Sequence, residues 1–138
     1  MEKEITVEVI GIQKDSEGNR NTDRTVENGL YYFKDGIHYV ITEKNKDNDS
    51  TRYKFNHRYL EVIKSGNIAT ALHFEVAKSH TASYKTPFGI MTLCFKTSGI
   101  SMSEKPDEIN INVEYEIYTD NDKLSENRTE IHIKRRNA

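Results

Sequence analysis

The chain has 138 residues, the common size of one domain around one core, so a single domain over 1–138 is expected. Hydrophobic residues make up 35% and charged residues 30%, too few apolar groups to line both faces of every element, which favours strands with one dry side. Lys plus Arg is 20 against 22 for Asp plus Glu, so the net charge of −2 removes bulk attraction to nucleic acid or anionic membrane, and Cys94, alone, excludes an internal disulfide.

The start, Met-Glu-Lys-Glu-Ile-Thr-Val, has no apolar run of signal-peptide length. No segment approaches the roughly 20 apolar residues that span a bilayer, and the expectation is a cytoplasmic protein with no membrane partner. Ile5, Val7 and Val9 share one parity, whereas Ile10 and Ile12 take the other across Gly11, a phase change that predicts a β-bulge. Residues 14–23 are polar and turn-rich and read as a long hairpin loop, with pairing resumed near Arg24. Asp35-Gly36 lies between the β-rich runs Leu30-Tyr-Tyr-Phe-Lys34 and Ile37-His-Tyr-Val-Ile-Thr42, a strong hairpin signal.

Residues 43–50 read as an exposed connection. Arg52 and Lys54 alternate with Tyr53 and Phe55 in the next strand, and 59–64 forms another. Over 68–76, Ile68, Leu72, Phe74 and Val76 share one face, and Ala69, Ala71, His73 and Glu75 the other. Residues 78–86 are polar but β-compatible, and Pro87-Phe88-Gly89 ends them, with Gly89 at a position needing φ > 0. Met91, Leu93 and Phe95 share a face, and 99–107, with Pro106, reads as a loop.

Glu108 to Thr119 then alternates without a miss, with Ile109, Ile111, Val113, Tyr115 and Ile117 on the dry parity. Asp120-Asn121-Asp122 is a turn, and the last strand points Ile131 and Ile133 inward. No stretch has a helical period. Hairpin-linked short strands predict an all-β antiparallel meander, closed into a barrel of about 8–10 strands to avoid bare edges.

Several stretches resemble the YwiB-like proteins, an uncharacterised bacterial family with a lipocalin-like (calycin-type) β-barrel. Gly29-Leu-Tyr-Tyr-Phe-Lys-Asp-Gly-Ile-His-Tyr-Val-Ile-Thr-Glu43 is similar to the family's Gly-x-Tyr-Tyr hairpin ending in a glutamate. Lys64-Ser-Gly66 followed by Phe74, Tyr84-Lys-Thr-Pro-Phe-Gly89, Val113-Glu-Tyr-Glu-Ile-Tyr118 and Asn127…Ile131-His-Ile133 resemble further segments in the family's order. Lys64 stands where the family usually has an arginine, which argues against a role needing a bidentate guanidinium there. The resemblance implies the fold and no established activity.

Chemical motifs are sparse. His38, His57, His73, His80 and His132 never recur at metal-ligand spacing, so neither metal nor cofactor is called for. Cys94, between Leu93 and Phe95, reads as a buried, inert thiol. Nucleophile elbow, phosphate loop and dinucleotide fingerprint are all missing, so no catalytic residue is assigned and an enzyme is disfavoured. The leading expectation is a barrel that binds a small molecule in its lumen or at its mouth, lined by Tyr32, Tyr39, His73, Tyr84 and Tyr115, since tyrosine offers an apolar wall with a polar tip. The alternative is a filled barrel acting as a protein-interaction or regulatory module, with a homodimer among its forms. A third reading, nucleic-acid binding through the basic and aromatic strand 52–59, is weakened because its aromatics and cations alternate in parity. If Leu72 and Phe74 fill the barrel, Ala71 lies outside on a flat surface suited to a partner chain.

Overall fold

The protein is described here by a computed structural model, which covers residues 3–46, 48–66, 69–87, 89–120 and 122–136, with the side chains of 84–86 left aside. Ten antiparallel strands follow one another: β1 Lys3–Asp15, β2 Arg20–Lys34, β3 Ile37–Thr42, β4 Ser50–Phe55, β5 Tyr59–Ser65, β6 Thr70–Glu75, β7 Ser79–Thr86, β8 Gly89–Lys105, β9 Glu108–Thr119 and β10 Asp122–Arg135. They form one sheet in the order β6-β5-β4-β3-β2-β1-β10-β9-β8-β7. The meander is therefore a nearly closed all-β barrel. Its first and last strands pair from Ile5↔Arg135 to Asp15↔Ser125, so the seam falls in mid-chain, between β6 and β7.

Alternation decides which side of each strand is dry. Ile5 and Val7, Val40, Tyr53 and Phe55, Leu60 and Val62, Phe74, Phe95, Ile109, Ile111 and Val113, and Ile131 and Ile133 are buried together. Tyr115 and Ile117 continue the dry parity of β9 and pack against that cluster, as the sequence pattern predicts. The polar parity of β9 is only half-buried in places, because His132 and Glu130 of β10 lie over Asn110 and Asn112. Beneath the seam, Phe74 meets Phe95 edge-on at 6.0 Å and Tyr115 at 4.7 Å. Side chains seal the gap that the ladder leaves.

Turn chemistry agrees with the sequence where glycine is required. Asp35 and Gly36 take φ of 53° and 79°, the paired positive values that join twisted strands through a two-residue hairpin. Gly89 has φ of 119°, as expected from its place after proline. Four local expectations are corrected. The ladders beside Gly11 run without a register shift, so Ile10 and Ile12 lie on the opposite face from Val7 and Val9, and the irregularities fall instead between Thr97 and Gly99 and between Lys123 and Ser125. The presumed loop at 14–23 is only the turn 16–19, and the presumed loop at 99–107 is the end of β8, where Ile100 and Met102 pack inward. Polar composition marks exposure there rather than irregular backbone. Val76 is 47% exposed in the turn after β6 rather than on its dry face, and Ile68 lies outside the described residues.

Gly29 and Gly11 give a test of the ladder's tightness. A Cβ at Gly29 would stand 2.4 Å from the Ile41 carbonyl oxygen, whereas one at Gly11 would meet nothing within 4 Å. Gly29→Ala should therefore cost about 1–3 kcal/mol or more in urea unfolding, and Gly11→Ala should be neutral or stabilise by about 0.5 kcal/mol.

Candidate functional site

Strand ends meet at one mouth of the barrel, among them the starts of β1, β3 and β9 and the ends of β2, β8 and β10. Here the inward parity carries polar groups. His38, 3% exposed, lies flat against Phe55 at 4.9 Å and tilted against Phe33 at 4.7 Å. Its Nδ1 is 2.7 Å from the Tyr31 hydroxyl, and its Nε2 is 3.2 Å from a Glu104 carboxylate oxygen. With a neutral ring, these partners make Nδ1 the acceptor from Tyr31 O–H and aim Nε2–H at the carboxylate.

Burial holds the His38 pKa below the ordinary imidazole value, against the opposing pull of Glu104 and with help from His57. Burial, with Glu104 second, raises the Tyr31 hydroxyl above its usual value. The array faces a concavity of about 240 Å³ lined by Tyr31, Glu104, Pro106, Ile109, Ile133 and others, and a shallower one bounded by Lys3, Tyr31, Phe33 and Glu104 adjoins it. Apolar floor, aromatic wall and a half-exposed carboxylate together suit a small amphipathic molecule.

The residues singled out in the sequence are scattered. Tyr32 and Tyr39 stack at 4.7 Å on the outer face of β2 and β3, with Lys54 above Tyr39 at 5.9 Å. His73 also faces outward, between Glu61 and Glu75 at 3.1 Å each, stacked on Tyr59 at 5.5 Å. Tyr115 faces the core, where its hydroxyl meets Thr129 Oγ1 at 3.2 Å and burial raises its pKa. Tyr84 pairs with Met91 through its backbone, and its side chain lies outside the described residues. The four whose side chains are described do not converge on one site. Tyr53 and Phe55 are buried while Arg52 and Lys54 point outward, so that strand does not present aromatics and cations on one surface. Cys94 is half-buried on the outer parity beside Tyr118, rather than buried with Leu93 and Phe95.

His38 escaped notice because β3 is apolar on both parities. Ile37, Tyr39 and Ile41 compete with Val40 for the inside, and their greater hydrophobicity hides that His38 and Thr42 are the buried pair. Thr42 justifies its place by accepting the Thr51 N–H at 2.8 Å. Among the described residues no group of three or more His, Cys, Asp or Glu could hold a metal ion, and no helix is long and apolar enough to cross a membrane.

Comparison with known proteins defines the class. The model of the family described as "Domain of unknown function (DUF1934)" matches residues 7–131, and the chain belongs to that family. Among solved structures it is similar to the ywiB protein from Bacillus subtilis, with a TM-score of 0.83 at 23% identity, over 98% of this chain and 93% of that one. That likeness establishes the YwiB-like barrel. No curated protein matches the chain.

The buried imidazole sets a sign for pH dependence. A histidine whose pKa is depressed in the folded state loses stability as pH falls through its unfolded value near 6.5, because unfolding then takes up a proton. The urea midpoint of the native chain should fall between about pH 7 and about pH 5, and His38→Gln, which keeps a donor and an acceptor, should flatten part of that fall.

Proposed function

We propose that this protein binds a small amphipathic molecule at the mouth beside Tyr31, His38 and Glu104. The supporting observation is the contrast between a packed interior and that mouth. Phe55, Leu60, Ile111, Ile131, Val7, Val40 and Val113 are all less than 2% exposed and fill the middle of the barrel. A ligand is therefore sought at the rim, where a buried polar array meets an open concavity. Glu104, with half its side-chain surface exposed, is placed to accept a hydrogen bond or ion pair from the ligand. The tilted rings of Tyr31 and Phe33 supply the aromatic wall for its apolar part.

Thermal shift of the full chain against a metabolite panel tests this reading, since a ligand at about 100 times its Kd stabilises by about 2.7 kcal/mol. For a compound that raises the Tm, Glu104→Gln and Tyr31→Phe should each weaken binding by about tenfold or more, the scale of a lost hydrogen bond to a charged or buried group. A compound bound equally well by both variants would move the site elsewhere.

A further inference from the structure

The inverted parity of β3 has an outward consequence. Leu30, Ile41 and Ile63 are 41%, 39% and 43% exposed, and they lie on one register line, Leu30↔Ile41↔Arg52↔Ile63↔Ala71, across β2 to β6. The adjacent outward line is Tyr32↔Tyr39↔Lys54↔Glu61↔His73. Arg52 and Lys54 form no ion pair with the described residues, Lys54 lying above the Tyr39 ring, whereas Glu61 meets His73 and Glu75 meets His73 and, at 2.7 Å, Lys78. Two cations without a carboxylate partner and the Glu61 carboxylate thus lie side by side within a surface of exposed isoleucines and half-buried tyrosines. A sheet surface of this kind is self-complementary.

We propose that the outer face of β3–β6 joins two copies of this chain in an isologous dimer. A two-fold axis along the line between β4 and β5 preserves the level of each residue and exchanges the strands, so β4 faces β5 of the partner and β3 faces β6. Lys54 then meets Glu61 of the partner subunit, Arg52 lays its methylenes on Ile63 of the partner subunit, and Ile41 enters the space left by Ala71 of the partner subunit. An axis along β4 itself would set Lys54 against its own copy, which like charge disfavours. Strands about 4.8 Å apart and about 20 Å long give β3–β6 a projected face on the order of 400 Å². Side-chain relief brings this toward the roughly 800 Å² per partner of standard interfaces, so the dimer is a reversible one that dissociates on dilution.

Sedimentation velocity of the full chain over a concentration series reads the assembly directly. A monomer–dimer equilibrium is expected, weakened about tenfold or more by Ile63→Lys and by Lys54→Glu, with urea midpoints close to the native one because both side chains face outward. Combining Lys54→Glu with Glu61→Lys should restore it. As an independent probe, a chain carrying Ile41→Cys and Ala71→Cys in a Cys94→Ser background should be linked into a covalent dimer by a short bismaleimide, because facing sheets stand about 10 Å apart, within its reach but beyond that of a disulfide. The two positions are about 14 Å apart within one chain, too far for the same reagent to join them there. A chain monomeric at every concentration, a dimer indifferent to these substitutions, or double-cysteine chains that stay uncrosslinked would overturn the proposal.

Discussion

The ladder between the first strand and the last is the constraint on which the rest depends. By pairing β1 with β10 along almost its whole length, the chain turns a ten-strand meander into a curved sheet whose dry parities all face one another. Closure at the termini moves the unpaired edges to β6 and β7. There His80 Nε2–H reaches the Ala71 carbonyl at 3.0 Å, and aromatic side chains cover the opening from below. Edge strands are a pairing hazard, and protecting them with a polar cap and a packed underside is a familiar way to contain it.

A barrel of this size offers its interior either to side chains or to a guest. In this protein the interior is taken by side chains, because β1, β4, β5, β9 and β10 each contribute at least two buried residues to the same cluster. At the rim, a histidine with 3% exposure is kept compatible with a dry surrounding by a hydroxyl on one nitrogen and a carboxylate near the other. The same burial that lowers its pKa makes the array donate through Nε2–H rather than carry a full charge.

Inside the sheet, polar groups are mostly satisfied; of the two exceptions among the described residues, Thr97 Oγ1 and Asn112 Oδ1, the first has a local cause. Thr97 Oγ1 is buried without a hydrogen-bond partner, and it sits where the register of β8 against β9 shifts between Thr97 and Gly99. The backbone around it is well used: Ala77 N–H donates to the Thr97 carbonyl, and Thr97 N–H to that of Lys78. The irregularity serves to bring the β6–β7 turn against β8 at the seam, at the expense of one side-chain hydroxyl.

The sequence by itself determined the class, a range of about 8–10 strands, the Asp35-Gly36 hairpin, the positive φ at Gly89 and the dry parity of β9, because period-2 alternation and turn chemistry act within a few residues. It also supported recognition of the family across most of the chain. It left two matters to tertiary structure. In β3 both parities are apolar, so only the shared register with β2 and β4 shows that His38 and Thr42 are inside and Tyr39 and Ile41 outside. In β6 the choice between the Ala71 and His73 face and the Leu72 and Phe74 face rested on volume. It was decided when Phe74 met Phe95 and Tyr115 from strands far along the chain. Parity within a strand is a local property, whereas the side that faces the core depends on neighbours that the linear pattern does not name. The meeting of Tyr31, His38 and Glu104 is of that second kind, since it exists only once β2, β3 and β8 end at the same mouth.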